Sequence, residues 1–400
     1  MRPSFDGWTI MFLSCFFRLR LCLVVCPFLV VGLCLTPVYG QQKPITVENI
    51  ILVTIDGLRW QEVFRGLDAR LIADAQYNPL GEKLAQNFAA DTQHSSAEKL
   101  MSFLHEVVKE QGVLLGNRDA GSCAQVTNSW YFSYPGYNEI LTGVADPAID
   151  SNASIANPNV TVLEWLQHQD EFADRVAVFA SWDVFPFILN TERSGLPVNV
   201  SPMEYPETAY EEILTNLHSD IPALWPTVRL DAFTHHYALS YLQNHKPRVL
   251  YVAYGETDDF AHDGRYDQYI MAANRTDRFI RQLWDFVQMD PIYRDKTALF
   301  ITVDHGRGEE PLETWKHHAS KKSLAGYMQS LAQYEEGIVG SEAVWMAAMG
   351  PGIAAQGMVS PVACAGSNQI AATLLGLLGI DYRTFNPAAG APLEQVMQLP

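Results

Sequence analysis

The chain alternates between short apolar runs and stretches with helical periodicity, the pattern of an α/β fold. Asn49–Ile55 (NIILVTI) is continuous in β-branched and apolar residues, as a strand buried on both faces requires. Runs at 175–180, 248–253, 297–303 and 344–349 read the same way. Between them, 97–109, 162–168, 230–243, 266–288 and 367–378 predict helices. In the fourth of these, Phe279, Leu283 and Phe286 share one stripe, which reads as core packing. Trp60, Trp182 and Phe185 also read as core, and His235, His236 and His245 as structural. Residues 145–225 are richer in Pro, Asn and Ser and predict a cap or insertion on the sheet.

The first 40 residues read as an address. Arg18 and Arg20 precede an uncharged apolar run from Leu21 to Leu35, which ends at Thr36-Pro37-Val38-Tyr39-Gly40. This is the grammar of a secretory signal peptide cleaved after Gly40, with Met11 as an alternative start. The run is shorter than the ~20 residues of a spanning helix, so no stable membrane span is expected after cleavage. The mature chain, 41–400, is then one exported domain, periplasmic or extracellular. Cleavage removes Cys15, Cys22, Cys26 and Cys34, leaving Cys123 and Cys364 where disulfides are permitted and their pairing open. With 48% hydrophobic and 18% charged residues, the chain can bury a large core, which excludes a disordered or small disulfide-scaffold protein. Its formal charge of −18 argues against nucleic-acid binding and means that an anionic substrate needs local cations.

Three predicted strands end in metal-binding residue types: Asp56 after the first, Asp258, Asp259 and His262 after the third, Asp304 and His305 after the fourth. Ligands of open α/β sheets bind at this C-terminal edge. Carboxylates mixed with imidazoles suit zinc, manganese or iron better than calcium. Ser133, in Ser129-Trp-Tyr-Phe-Ser-Tyr-Pro-Gly-Tyr-Asn138, stands at an expected helix start, where backbone N–H groups favour an anion. It could equally be an ordinary N-cap. No GxSxG, HExxH, phosphate-loop or dinucleotide-loop signature is present.

Taken in order, Val-Thr-Ile-Asp56-Gly, Phe-Ser133-Tyr-Pro-Gly-Tyr-Asn, Asp258-x-x-x-His262, Asp304-His305-Gly and a later His318 resemble the alkaline phosphatase superfamily. Within it the chain looks most like the nucleotide pyrophosphatase/phosphodiesterase branch, over roughly Asn49 to Ile353. The resemblance implies an α/β fold with a mostly parallel central sheet, helices on both faces, and a sulfatase-related architecture. It implies two divalent metal ions, zinc first, with manganese or iron as alternatives. One would be held by Asp56, Asp304, His305 and the Ser133 oxygen. The other would be held by Asp258, His262 and His318, with Asp259 and His317 as competing choices. The implied reaction is attack of Ser133 on a small-molecule phosphate ester through a phosphoserine.

The match has departures. Phosphodiesterases of this branch usually carry threonine followed by Phe-Pro-Asn, and here Gly136 stands at the asparagine's place. The Gly136 N–H, or Asn138, is therefore the expected contact to the phosphoryl oxygen. Arg59 and Arg307 are expected either to touch substrate oxygens or to form ion pairs. Tyr137 replaces the arginine needed for formylglycine formation, so that chemistry is not expected. A sulfate or phosphonate ester hydrolase on the same scaffold is the alternative reading, and a non-catalytic binding protein ranks third. Monoester or diester, leaving alcohol and oligomeric state are open.

Overall fold

Eight strands form the central sheet of the computed structural model, which describes residues 47–360 and 363–397. The expected signal peptide lies outside the described residues. The strands are β1 (Asn49–Ile55), β2 (Gly112–Leu115), β3 (Val176–Ala180), β4 (Val198–Asn199), β5 (Val249–Tyr254), β6 (Thr297–Thr302), β7 (Met346–Met349) and β8 (Gly357–Met358). Their spatial order is β4-β3-β5-β1-β6-β7-β2-β8. β3, β5, β1 and β6 run parallel, and β7 is antiparallel to both of its neighbours. Every position of β1, β3, β5 and β6 is buried, as a sheet covered on both faces demands.

Register decides where the chemistry converges. Ile55 of β1 pairs with Tyr254 of β5, and Thr54 pairs with Thr302 of β6. Three central strands therefore end level with one another, and the residues that follow them emerge on one edge. Asp56 follows β1 directly. The helix Glu256–His262 follows β5, and Asp304 and His305 follow β6. This is the crevice where open α/β sheets place ligands.

Four helices matter here: α1 (Ser133–Thr142), α2 (Asp231–His245), α3 (Glu256–His262) and α4 (Tyr266–Met289). On α4, Phe279, Leu283 and Val287 are buried one turn apart, and Phe286 packs partly against the core. His235 of α2 is a core residue, stacked on Phe279 at 4.2 Å and bonded to the Tyr254 hydroxyl at 3.1 Å.

The stretch 145–225 is built into the sheet rather than set upon it. It supplies β3 and β4, with short helices at Val162–Gln167, Phe185–Ile188 and Thr191–Ser194 and a longer one at Ala209–Asp220. Most of its prolines and asparagines stand between those elements, with Pro186, Asn199 and Asn216 inside them. Cys123 and Cys364 form a disulfide. Beside it, Ala124–Gln125 and Ala365–Gly366 pair as a two-stranded parallel sheet that fixes the approach to α1. Among the described residues no helix is long and apolar enough to cross a membrane.

Candidate metal centre

Ser133 is delivered by a constrained turn. Asn128 accepts from the N–H groups of Trp130 (2.9 Å) and Tyr131 (3.0 Å), and Tyr131 takes the left-handed backbone that a bulky residue rarely adopts (φ 59°). Glu139, one face of α1 further on, accepts from the N–H groups of Thr127 and Asn128, both at 2.8 Å. The helix thus holds its own lead-in loop. Phe132 occupies the cap position, and Ser133 is the first helical residue, so its hydroxyl is not consumed as an N-cap. Instead Ser133 Oγ lies 3.3 Å from His305 Nε2.

Two groups of possible ligands surround that serine. The first joins Asp56, Asp304 and His305, all buried. His305 Nδ1 meets the Gly306 carbonyl at 2.9 Å, and because a carbonyl only accepts, the ring proton resides on Nδ1. Nε2 then faces Asp56 Oδ1 and Asp304 Oδ2, each at 3.4 Å. Those two carboxylate oxygens have no hydrogen-bond partner although both are buried. Unsatisfied buried anions around a lone pair require positive charge at their centre. In the metal-free chain a second ring proton provides it: burial opposes charging His305, but Asp304 and Asp56 lift its pKa to about 9. Burial, then repulsion from Asp56, raises Asp304 as well. A divalent cation fits the same requirement. Tyr137 fixes the remaining Asp56 oxygen, donating to Oδ2 at 2.8 Å.

The second group joins Asp258, His262 and His318. Asp258 and His262 lie one turn apart on α3, with Oδ2 and Nε2 3.3 Å apart. His318 gives Nδ1–H to the Tyr131 carbonyl at 3.2 Å, which leaves its Nε2 bare and 3.1 Å from His262 Nε2. Burial, followed by repulsion from His305, pushes His318 well below its ordinary value and His262 to about 4, although an edge of His262 opens to the cavity. Neutral rings with converging lone pairs suit a transition-metal cation. The two groups adjoin, because the His305 and His318 rings stack at 3.8 Å.

The competing residues lie elsewhere. Asp259 faces a cavity wall, and His317 stands off, with its ring centroid 6.2 Å from that of His262. Gly57 (φ 58°) makes the first turn possible, since a Cβ there would stand 2.8 Å from Arg307 Nε and 3.0 Å from Asp258 Oδ1.

Two expectations about substrate contacts, those for Gly136 and Asn138, are corrected, and Arg59 and Arg307 take the ion-pair alternative, buried rather than at the surface. Arg307 is wholly buried and ties the site together, donating to the carbonyls of Gly57 (3.1 Å), Lys316 (2.7 Å) and Asp258 (3.1 Å) and pairing with the Asp258 carboxylate. Arg59 is buried against Glu62 and donates to the Gly308 carbonyl at 2.9 Å. The Gly136 N–H is spent on the Phe132 carbonyl at 3.0 Å, in the first turn of α1. A Cβ at Gly136 would lie 2.3 Å from the Asp304 carbonyl oxygen, so close helix packing excludes the family's asparagine there. Asn138 turns to the opposite face and accepts from the amides of Asn157 (3.1 Å) and Asn159 (3.2 Å).

A cavity of about 460 Å³ opens above both groups, with Asp56, Ser133, Asp258 and His262 in its floor. Trp182, Asp183, Asp259 and Tyr327 line its walls. Trp182, expected in the core, is instead half-buried at this surface. Trp182, Asp183 and Tyr327 carry no motif spacing that would reveal them in the sequence.

A family model described as the Metalloenzyme superfamily matches residues 225–322, which include Asp258, His262, Asp304, His305 and His318. No curated protein matches the chain. Among solved structures, the chain is similar to wild-type alkaline phosphatase PafA, at 11% identity and TM-score 0.54, over 88% of this chain and 99% of that one. It is also similar to Ps i-CgsB, at 12% identity and TM-score 0.52, over 86% of this chain and 75% of that one. The fold is similar to that of alkaline phosphatase PafA.

Proposed function

We propose that the chain is an exported phosphoester hydrolase, a phosphodiesterase or phosphatase, that uses two divalent metal ions and a Ser133 nucleophile. One observation carries this reading. Ser133 Oγ shares the His305 nitrogen with two orphaned carboxylate oxygens at the floor of an open cavity. Asp56, Asp304, His305 and Ser133 would hold one ion, and Asp258, His262 and His318 the other, with zinc the expected metal. Bound there, such ions would favour deprotonation of a hydroxyl and offset the negative charge of a phosphoryl group.

The chain's own residues do the rest. α1 begins at Ser133, so its positive end favours the anion at the point of attack. With the Tyr134 N–H given to Asn152 at 2.9 Å and the Gly136 N–H to Phe132, the Ser133 N–H is the first-turn donor without a partner among the described residues. It is available to a phosphoryl oxygen. As the Ser133 Oγ–phosphorus bond forms, the bond from phosphorus to the ester oxygen breaks, and the departing alcohol takes up the serine's proton. Water then attacks phosphorus, the bond to Ser133 Oγ breaks, one of the water's protons restores the serine hydroxyl, and the phosphate product leaves. The Cys123–Cys364 disulfide supports an oxidising compartment outside the cytoplasm.

The test is Ser133→Ala in the metal-loaded protein, assayed on aryl phosphates, phosphonates and sulfates. Hydrolysis of phosphate esters should fall by at least about 10³-fold while elemental analysis still finds both metals. Undiminished hydrolysis by the variant, or a wild type that turns over only the sulfate, would overturn the reading.

A further inference from the structure

The cavity wall carries charge of one sign only. Asp183 and Asp259 line it, together with the polar Ser154 and Thr227, and no lysine or arginine does. Neither carboxylate has an ion-pair or side-chain hydrogen-bond donor among the described residues. This contrasts with Asp258, which is bound by Arg307, and Asp263, which accepts from the Trp225 indole at 2.9 Å. Asp183 sits at the exposed rim and Asp259 deeper. Their positions are held by the backbone: the Asp183 N–H bonds the Thr227 carbonyl at 2.9 Å, and Asp259 rides on α3 beside Asp258. Two aromatic residues complete the wall. Trp182 packs on Phe185 at 6.4 Å, and Tyr327 lies against Phe132 at 5.4 Å.

The charge balance follows from the proposed function. Two divalent ions would neutralise Asp56, Asp258, Asp304 and an ionised Ser133, and Arg307, buried against Asp258, does not reach the cavity, so no cation on the cavity wall faces Asp183 and Asp259. A substrate whose organic group is itself anionic, such as a nucleoside polyphosphate, would be repelled there. A neutral group would leave both carboxylates desolvated without a partner. A cationic group would answer both, and aromatic faces add favourable interactions with an alkylammonium.

Resting on the phosphoester-hydrolase reading, we infer that the preferred substrate is a phosphate ester whose organic group carries an amino or quaternary ammonium charge, received by Asp183, Asp259, Trp182 and Tyr327.

The experiment compares p-nitrophenyl phosphorylcholine with its uncharged carbon isostere, p-nitrophenyl 3,3-dimethylbutyl phosphate, on the metal-loaded enzyme, following p-nitrophenolate release. The choline ester should have a kcat/KM at least about tenfold higher, with the difference in KM, and the ratio should shrink as salt is raised. In Asp183→Asn and Asp259→Asn the ratio of the two substrates should fall toward one, mainly through KM for the charged ester. Equal kcat/KM for the two esters in the wild type would overturn the inference and leave the hydrolase reading intact. Failure to cleave either ester, or p-nitrophenyl phosphate, would remove the hydrolase reading and this inference with it. A ratio unchanged in both variants would show that the carboxylates do not receive the cation.

Discussion

The two ligand groups touch through a stacked pair of imidazoles, yet they are opposite in construction. Asp56, Asp304 and His305 stand on strand ends locked by sheet register, fully buried, with two carboxylates to one imidazole. Asp258, His262 and His318 combine one helical turn with a loop residue, have two imidazoles to one carboxylate, and open to the cavity. The strand-end group is a concentration of negative charge that holds extra protons in the metal-free fold. The helix-end group is a concentration of lone pairs that sheds them. With the proposed function, rigid negative charge would retain a cation, while the group that opens to the cavity would let substrate and product exchange at the other. The difference would divide the work of the floor between holding and handling.

The largest effect should come from breaking each group in turn. Asp304→Asn and His262→Ala should each cut phosphoester hydrolysis by at least about 10³-fold and each retain about one metal equivalent. The retained ion should differ in behaviour. In His262→Ala it sits in the buried group and should exchange slowly against a chelator, whereas in Asp304→Asn it should exchange quickly. Equal exchange rates would erase the distinction between the groups.

A smaller effect lies in the pH dependence of the chelated protein. His305 titrates near 9 in the fold, so its contribution to stability is complete below about pH 6.5 and is lost as pH rises through about 9. Asp304, raised as well, has the same sign, because the fold holds its proton longer than the unfolded chain does. His262, at about 4, and His318, also lowered by burial, have the opposite sign, and stability is lost as pH falls from about 6.5 toward 4. Urea titrations across this range should show both limbs, each proton changing the stability by about 1.4 kcal/mol per pH unit at most. His305→Gln should flatten the alkaline limb and His262→Gln the acid one. Both variants flattening the same limb would contradict the assignment.

Much of this was legible in the sequence, because the relevant signals are local. The apolar run Asn49–Ile55 is a strand at those bounds, and the runs near 176, 249, 297 and 346 are strands within two residues of expectation. Gly112–Leu115 was not legible, since four apolar residues directly after a helix carry no turn signal. The expected helix 97–109 divides into Gln93–Leu100 and a wide-turn segment Leu104–Val108, with Met101 leaving helical geometry between them (φ −127°, ψ 68°). Asp56, Asp258, Asp304 and His305 could be read because each stands shortly after a strand and parallel register brings strand ends together, while His262 was read from its spacing to Asp258 and His318 from the resemblance alone. Arg59 and Arg307 stayed between two readings because whether a donor is free depends on partners as many as 250 positions away, whereas Gly136 and Asn138 were misread although their partners are near, the Gly136 N–H being spent within the first helical turn. Trp182 and Asp183 reach the cavity only because β3 lies beside β5, which is a property of the whole sheet.

Tyr137 offers the finest cut between the two groups. Its hydroxyl touches only the strand-end side, donating to Asp56 Oδ2 and leaving Oδ1 directed at His305. Burial, with Asp304 and Asp56 close by, raises its pKa well above the ordinary phenol value, so it remains a donor throughout the working range. Tyr137→Phe keeps the ring packed on Phe185 at 4.8 Å and removes the bond that orients Asp56. The affinity of the slowly exchanging ion should then fall about 10- to 100-fold, the effect typical of losing a partner that orients a metal ligand. Affinity for the other ion should be unchanged, and added metal should restore kcat. If the variant instead weakened the rapidly exchanging ion, Asp56 would belong to the open group, and the division between holding and handling would have to be redrawn along α3.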